Sequence, residues 1–376
     1  MSGKHAHNRE PVIHISKRAG TGAAGMGIGG KILIRAVAVV LSLLISGLLI
    51  YWITKLNPIK VYEEMFSGVF GTKRKFWAFL REALLLLCIA VGLAPAYKMR
   101  FWNIGAEGQI LVGGIASAAC MIYLGSSGIP SNLLLLIMIC ASILAGAIWG
   151  MIPAVFKANW NTNETLFTLM MNYVAIQLTS YFIPKWEHPA GSNTVGIINP
   201  TTKVGWFPKI LGQDYTLNLI IVAILTIGMF IYLKYSKHGY EIAVVGESEN
   251  TAKYAAINVK KVVIRSMTIS GAICGIAGFI AVAGCDHTIS TDTSGGRGFV
   301  AIIVAWLAQF NTFIMVLIAG MIAFLDKGAI AIASKFNLSN DVSNVITGII
   351  LFFILGSEFF INYKVRFHFG KGGEDA

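Results

Sequence analysis

Long apolar blocks separated by short polar loops restrict this chain more than any other feature. They run at 33–54, 77–96, 104–124, 131–153, 165–184, 215–233, 264–285, 298–309, 312–333 and 342–361. A helix rises about 1.5 Å per residue and a bilayer core is about 30 Å thick, so roughly 20 apolar residues cross it. Most of the blocks meet that length. Only 13% of the residues are charged, against about 25% in a soluble domain. In lipid every backbone polar group needs a partner within the protein, so such segments form helices. The expected fold is all-α: a polytopic membrane protein of about ten transmembrane helices, some broken or re-entrant. Block 298–309 is too short to cross as a straight helix and is expected to be a half-helix or re-entrant segment.

The expected organisation is a disordered cytoplasmic tail at 1–31, a transmembrane domain at 32–362 and a second tail at 363–376. Within the domain, 234–265 is the largest inner loop. With the N-terminus inside and the blocks alternating, the inner loops hold most of the Lys and Arg, which puts both ends in the cytoplasm. Lys73, Arg74 and Lys75 run against that assignment. The net charge of +12 sits in short loops, so it encodes membrane orientation rather than a nucleic-acid surface. Cys88, Cys120, Cys140, Cys274 and Cys285 lack metal-ligand spacing, and all lie within apolar blocks, the last at a block's end. They read as packing residues, with no metal site and no disulfide framework.

Two glycine patterns are decoys. Gly25-x-Gly27-x-x-Gly30 matches a dinucleotide fingerprint, and Gly25 to Lys31 matches most of a phosphate-binding loop. Ile32 stands where the second needs Ser or Thr, and neither has a strand before it. No cofactor is expected, and any ATP must bind to another subunit. The outer loop 185–214, with Pro189, Pro200, Pro208 and Trp206, reads as a cap over the outer mouth or as a docking surface.

The informative polar residues interrupt the blocks. Asn103, Glu107 and Gln109 sit between two apolar blocks, with Gly105 and Gly108 beside the carboxylate. Polar groups at membrane depth usually face a bundle interior or a substrate path. The plainer reading is that Asn103 caps a span and Glu107 sits near its positive end. Asn163 and Glu164 open the fifth block, where Asn161 with Glu164 has the spacing of a capping box. Asn172 lies deeper and suits a pathway or an interhelical hydrogen bond. Arg297, between glycines, is positioned to meet Glu107 or an anionic group, or to sit in an ordinary outer loop. In the inner loop, positions 252–257 suggest a short amphipathic helix for a partner's groove or the membrane surface. Asp326 and Lys327 adjoin in the ninth block and point apart on a helix, so each needs its own partner. Segments 80–109 and 270–300 each place an apolar helix before a Gly-rich break, as an inverted repeat would.

Asn103-Ile-Gly-Ala-Glu-Gly-Gln109, Asn163 to Tyr173, Gly246 to Asn258 and Gly298 to Leu307 together resemble permeases of ATP-binding-cassette importers. The likeness is to the ribose-type permease superfamily, in the branch that imports nucleosides through a basic-membrane-protein-type lipoprotein. Three departures from it are Ser248 for Asn, Ala256 for Gly, and Ala308-Gln309 for a Gly-containing turn. The resemblance implies a substrate pathway near Asn103, Glu107, Gln109, Asn163, Glu164, Asn172, Arg297 and Phe299. It implies ATPase coupling through Gly246, Glu247, Asn250, Tyr254, Ala255 and Ile257. The implied partners are an ATPase with two nucleotide-binding domains, a shorter paralogous permease and a substrate-binding lipoprotein. The implied location is the cytoplasmic membrane of a bacterium.

Two other readings stand beside an importer of nucleosides such as guanosine or uridine. One is a permease for a monosaccharide such as ribose, since fold does not fix ligand. The other is an ion-coupled secondary transporter built on Glu107 and Asp326. A membrane enzyme lacks paired catalytic carboxylates, an HExxH motif or a nucleophile in context.

Overall fold

The computed structural model describes residues 13–17, 55–210, 212–339 and 363–367, with scattered positions within 33–52 and 345–356. The helices are α1 (Pro58–Phe70), α2 (Lys73–Lys98), α3 (Ala106–Leu124), α4 (Ser131–Trp160), α5 (Glu164–Trp186) and α6 (Thr216–Tyr235). Then come α7 (Lys237–Glu247), α8 (Glu249–Tyr254), α9 (Val259–Phe279), α10 (Arg297–Leu307) and α11 (Thr312–Phe336). A π-helical stretch, Ile280–Asp286, prolongs α9. Strands β1 (Ile13–Lys17) and β2 (Tyr363–Phe367) pair antiparallel. The protein is thus a polytopic helical membrane protein with a short ribbon made from its two end segments. Residues 13–17, expected to lie in a structureless tail, form one of those strands.

Among the described residues seven helices are long and apolar enough to cross a membrane: α2 to α6, α9 with its extension, and α11. They match seven of the expected blocks, with ends displaced by a few residues. The expected first and last spans, 33–54 and 342–361, fall mostly outside the described residues. α1 lies in the connection between the first two expected blocks, 33–54 and 77–96. It starts where Asn57 Oδ1 accepts from Ile59 N at 2.9 Å.

Short polar side chains start the helices. Thr72 caps α2 through Lys75 N, Asn163 caps α5 through Leu166 N, and Asn258 caps α9 through Lys261 N. Each satisfies one amide that the first turn leaves open. Asn163, not Asn161, is the α5 cap. Asn161 closes α4 in the left-handed region at φ 51°.

The chain divides into two compact units, Val69–Leu325 and Met1–Gly68 with Asp326–Ala376. In the larger unit α9 is buried along most of its length and packs on α2, α3 and α4. The α4–α9 crossing is made of Gly146, Gly150, Gly271 and Gly275. A methyl group at any of them would overlap the facing backbone. In lipid, where apolar burial does not drive association, such close backbone contact supplies the packing. α2 and α9 run antiparallel: Cys88 and Gly92 meet Ile273, while Arg81 meets Asp286.

In the smaller unit, Gly68 lies against Ala331 and Gly328 against Met65. Lys327 Nζ lies 3.5 Å from Asp326 Oδ2. The expectation that these neighbours point apart is therefore corrected: the long lysine stem folds back to its own neighbour.

Candidate functional site

The polar node forms where α2 ends and α3 begins. Arg100 takes a left-handed backbone, φ 60°, and turns the chain back. Tyr97 Oη then donates to the carbonyl of Asn103 at 2.9 Å. The Asn103 side chain is fully buried. Its Oδ1 accepts from Gly105 N at 3.0 Å and from Gln109 Nε2 at 3.3 Å. Its Nδ2 donates to Ser270 Oγ on α9 at 3.3 Å. The capping expected of Asn103 is thus corrected: Gly105 holds the N-cap position with no side-chain bond, and Asn103 instead closes the turn before α3 and ties it to α9.

α5 supplies the rest of the clamp. Thr168 Oγ1 accepts from Ile104 N at 3.1 Å. Asn172 uses both ends of its amide: Oδ1 accepts from Gly108 N at 2.8 Å, and Nδ2 donates to Ile104 O at 2.9 Å. These groups would otherwise be unpaired at the break. Buried backbone groups need such partners within the protein. Gly108 is closely packed: an added Cβ would sit 3.0 Å from Asn172 Oδ1 and Trp149 Nε1, which would have to give way by a few tenths of an ångström.

A second break faces the first. Asp286 ends the π-helical stretch, and residues 287–296 lead to α10 through left-handed Gly295 and Gly296. At about 1.5 Å per residue, α10 spans about half of a ~30 Å bilayer core. It is the half-helix that its length foretold. Its first turn lies inside the bundle, where Glu107 Oε1 accepts from Gly298 N at 2.6 Å. A carboxylate at an open helix N-terminus is favoured by the unpaired amides and the helix dipole.

Two ion pairs flank that cap. Arg297 pairs with Glu82 of α2 through Nε and Nη2. Arg81 Nη1 lies 3.4 Å from Asp286 Oδ1. The neighbours Arg81 and Glu82 thus fasten both ends of segment 287–296. Of the two partners expected for Arg297, it meets an anionic group, Glu82, and not Glu107, which takes the next backbone amide. Sequence reading passed over Glu82, Thr168 and Ser270. The signal for Glu82 was a carboxylate inside an otherwise apolar block.

The far end of α10 rests on aromatics. Trp102 and Trp306 stack with ring centroids 5.2 Å apart, and Tyr97 stacks on Phe310 at 6.3 Å. Below them lies a cavity of about 620 Å³ bounded by Tyr97, Trp102, Gly246, Glu247 and Trp306.

The other expected residues lie apart from the node. Asn163 is exposed at its cap, Glu164 pairs with Lys157 at 2.8 Å, and Phe299 is 45% exposed. In the inner loop, Ser236 and Ser248 cap two consecutive helices, α7 and α8. The short helix expected near 252–257 is α8, which begins and ends earlier, and α7 was not foreseen. Gly246 is buried against the Lys98 carbonyl, where a Cβ would overlap it. Glu247, Asn250 and Ala255 are exposed, Tyr254 is 94% exposed, and Ile257 is half-buried. Glu241 pairs with Arg265 at 2.7 Å, which holds its carboxyl below the usual range. That pair is intact at neutral pH and is lost as pH falls through the lowered value.

On the opposite face, loop 187–215 is folded onto the end of α9. Phe207 N donates to Ala283 O at 3.0 Å, and Ile198 N to His287 O at 2.8 Å. Trp206 stacks on His287 with centroids 3.7 Å apart. Burial keeps His287 below its ordinary value and so neutral at pH 7.

A family described as branched-chain amino acid transport system / permease component matches residues 76–355. The chain is 28% identical to the guanosine ABC transporter permease protein NupP of Bacillus subtilis, over 90% of this chain and 96% of that relative. It is 28% identical to the nucleoside ABC transporter permease protein NupB of Lactococcus lactis, over 86% and 90%. It is 25% identical to the glucose ABC transporter permease protein TsgB13 of Haloferax volcanii, over 85% and 86%. No solved structure matches it.

Proposed function

We propose, from the premise that this chain belongs to the branched-chain amino acid transport permease family, that it is the membrane-spanning subunit of an ATP-driven nucleoside importer. The observation that carries the substrate class is the near full-length likeness to two permeases named for guanosine and nucleosides. The likeness to a glucose permease keeps a monosaccharide as the second reading.

In this reading the α7–α8 face lies in the cytoplasm, with both chain ends, and the membrane is the cytoplasmic membrane of a bacterium. A separate ATPase with two nucleotide-binding domains docks on exposed Glu247, Asn250, Tyr254 and Ala255. The cavity beside Glu247 also touches Trp102 and Trp306, so a docked partner would press on α7, on the α2–α3 connection and on α10 together. A shorter paralogous permease completes the pathway, and an outer lipoprotein delivers substrate. Asn103, Glu107, Gln109, Asn172 and Arg297 hold the two helix breaks that flank the pathway, and Asn163, Glu164 and Phe299 lie further along it. The chain performs no chemistry and rocks between inward- and outward-open states.

An ion-coupled transporter needs a carboxylate able to exchange partners. Glu82 is engaged by a guanidinium and Glu107 by a backbone amide, which favours a structural task for both. Uptake of radiolabelled guanosine, uridine and ribose by cells with and without this chain tests the substrate. Chain-dependent guanosine or uridine uptake is expected. Uptake of ribose alone would overturn the nucleoside reading in favour of the sugar.

A further inference from the structure

On the face opposite α7, the end of α5, loop 187–215 and the segment after Asp286 enclose a cavity of about 620 Å³. That is within the size range of small-molecule sites, about 300–1,000 Å³. Six hydroxyl or amide side chains line it: Ser180, Asn193, Thr194, Thr288, Ser290 and Thr291. None of its lining residues is charged. Ile183 and Ile197 make an apolar wall. Among the described residues, the side chains of Ser180, Asn193, Thr288 and Thr291 make no hydrogen bond to protein, so their capacity is open to a ligand.

The backbone that displays these groups is held at several points. Arg81 and Glu82 fasten Asp286 and Arg297, at the two ends of the segment. Within it, Ser290 N donates to Thr293 Oγ1 at 2.8 Å. Loop 187–215 is fixed from its own side, with Glu187 accepting from Gly191 N at 2.8 Å and Asn193 N at 3.1 Å. Hydroxyls on a fixed backbone lose little freedom when they bind, which favours recognition by hydrogen bonds.

We propose that this cavity is an outer ligand site that recognises the sugar hydroxyls of a neutral nucleoside. The ribosyl hydroxyls meet Thr288, Thr291 and Ser180, and the base lies against Ile183 and Ile197. A phosphorylated nucleotide would find no cation in the lining to balance its charge. The proposal rests on the nucleoside reading above and adds to it a place and a chemical basis for selection.

The test is a ratio. Cells carrying the complete transporter are given uridine or 2′,3′-dideoxyuridine, and the two initial uptake rates are compared. The intact chain favours uridine. In the Ser180→Ala/Thr288→Val/Thr291→Val variant that preference falls by about tenfold or more, as expected for losing several hydrogen bonds. Expression level and discrimination by other subunits cancel in the comparison. Thr288→Ser, which keeps the hydroxyl, retains the preference. Equal rates in the intact chain, or an unchanged ratio in the triple variant, overturn the site. If the triple variant takes up neither compound, Thr288→Val and Thr291→Val are compared singly, and unchanged ratios in both overturn it. An intact chain that takes up no nucleoside overturns the parent reading instead.

Discussion

Asn172 is 3% exposed, and its amide holds two backbone groups left open by the break before α3. Its worth lies in what its loss would strand. Asn172→Leu keeps the volume and removes both partners. Each buried backbone group left unpaired costs about 1–3 kcal/mol. The variant should unfold at lower temperature in detergent, and Asn172→Gln should not restore the intact value, because its longer stem displaces the amide. A melting temperature equal to the intact chain's would contradict this role. That Asn172 mattered was legible, since a buried amide far from a helix start has no capping task. Its partners were not, because periodicity within one helix does not say which backbone faces it.

At the scale of elements, the chain solves one problem twice. α2 breaks before α3, and α9 breaks before α10. Each connection leaves backbone amides at a helix start, and each is closed by side chains from a neighbour. The spans themselves were legible because about 20 apolar residues in a row have one stable outcome. α10 was legible as a half-helix from its length alone. α7 was not, because a capped helix on the membrane face carries no long apolar run, and its start signal is one serine. The pairing of Glu82 with Arg297 was hidden because the two are brought together only by the antiparallel packing of α2 on α9. That pair makes a prediction about α10. Glu82→Arg and Arg297→Glu should each abolish uptake, since breaking a buried pair leaves a charge that costs about 3–5 kcal/mol. The double exchange should regain a measurable share. A double variant no better than either single would show that the pair does not position the half-helix.

At the scale of the whole molecule, two faces of the larger unit carry different chemistry. One presents exposed Tyr254 and Ala255 beside an aromatic-walled cavity. The other presents an uncharged, hydroxyl-lined cavity under a folded loop. Between them Asn103, Glu107 and Asn172 bond the backbone at the two connections. The proposed importer reading, which rests on the family match and the likeness to ABC permeases, places ATP hydrolysis on a separate subunit. The direct measurement is uridine uptake in cells whose ATP is depleted while the proton gradient is kept. The account predicts that uptake stops when ATP is gone, and that it survives collapse of the gradient while ATP remains. Uptake that persists without ATP and disappears with the gradient would contradict it and make the chain an ion-coupled transporter.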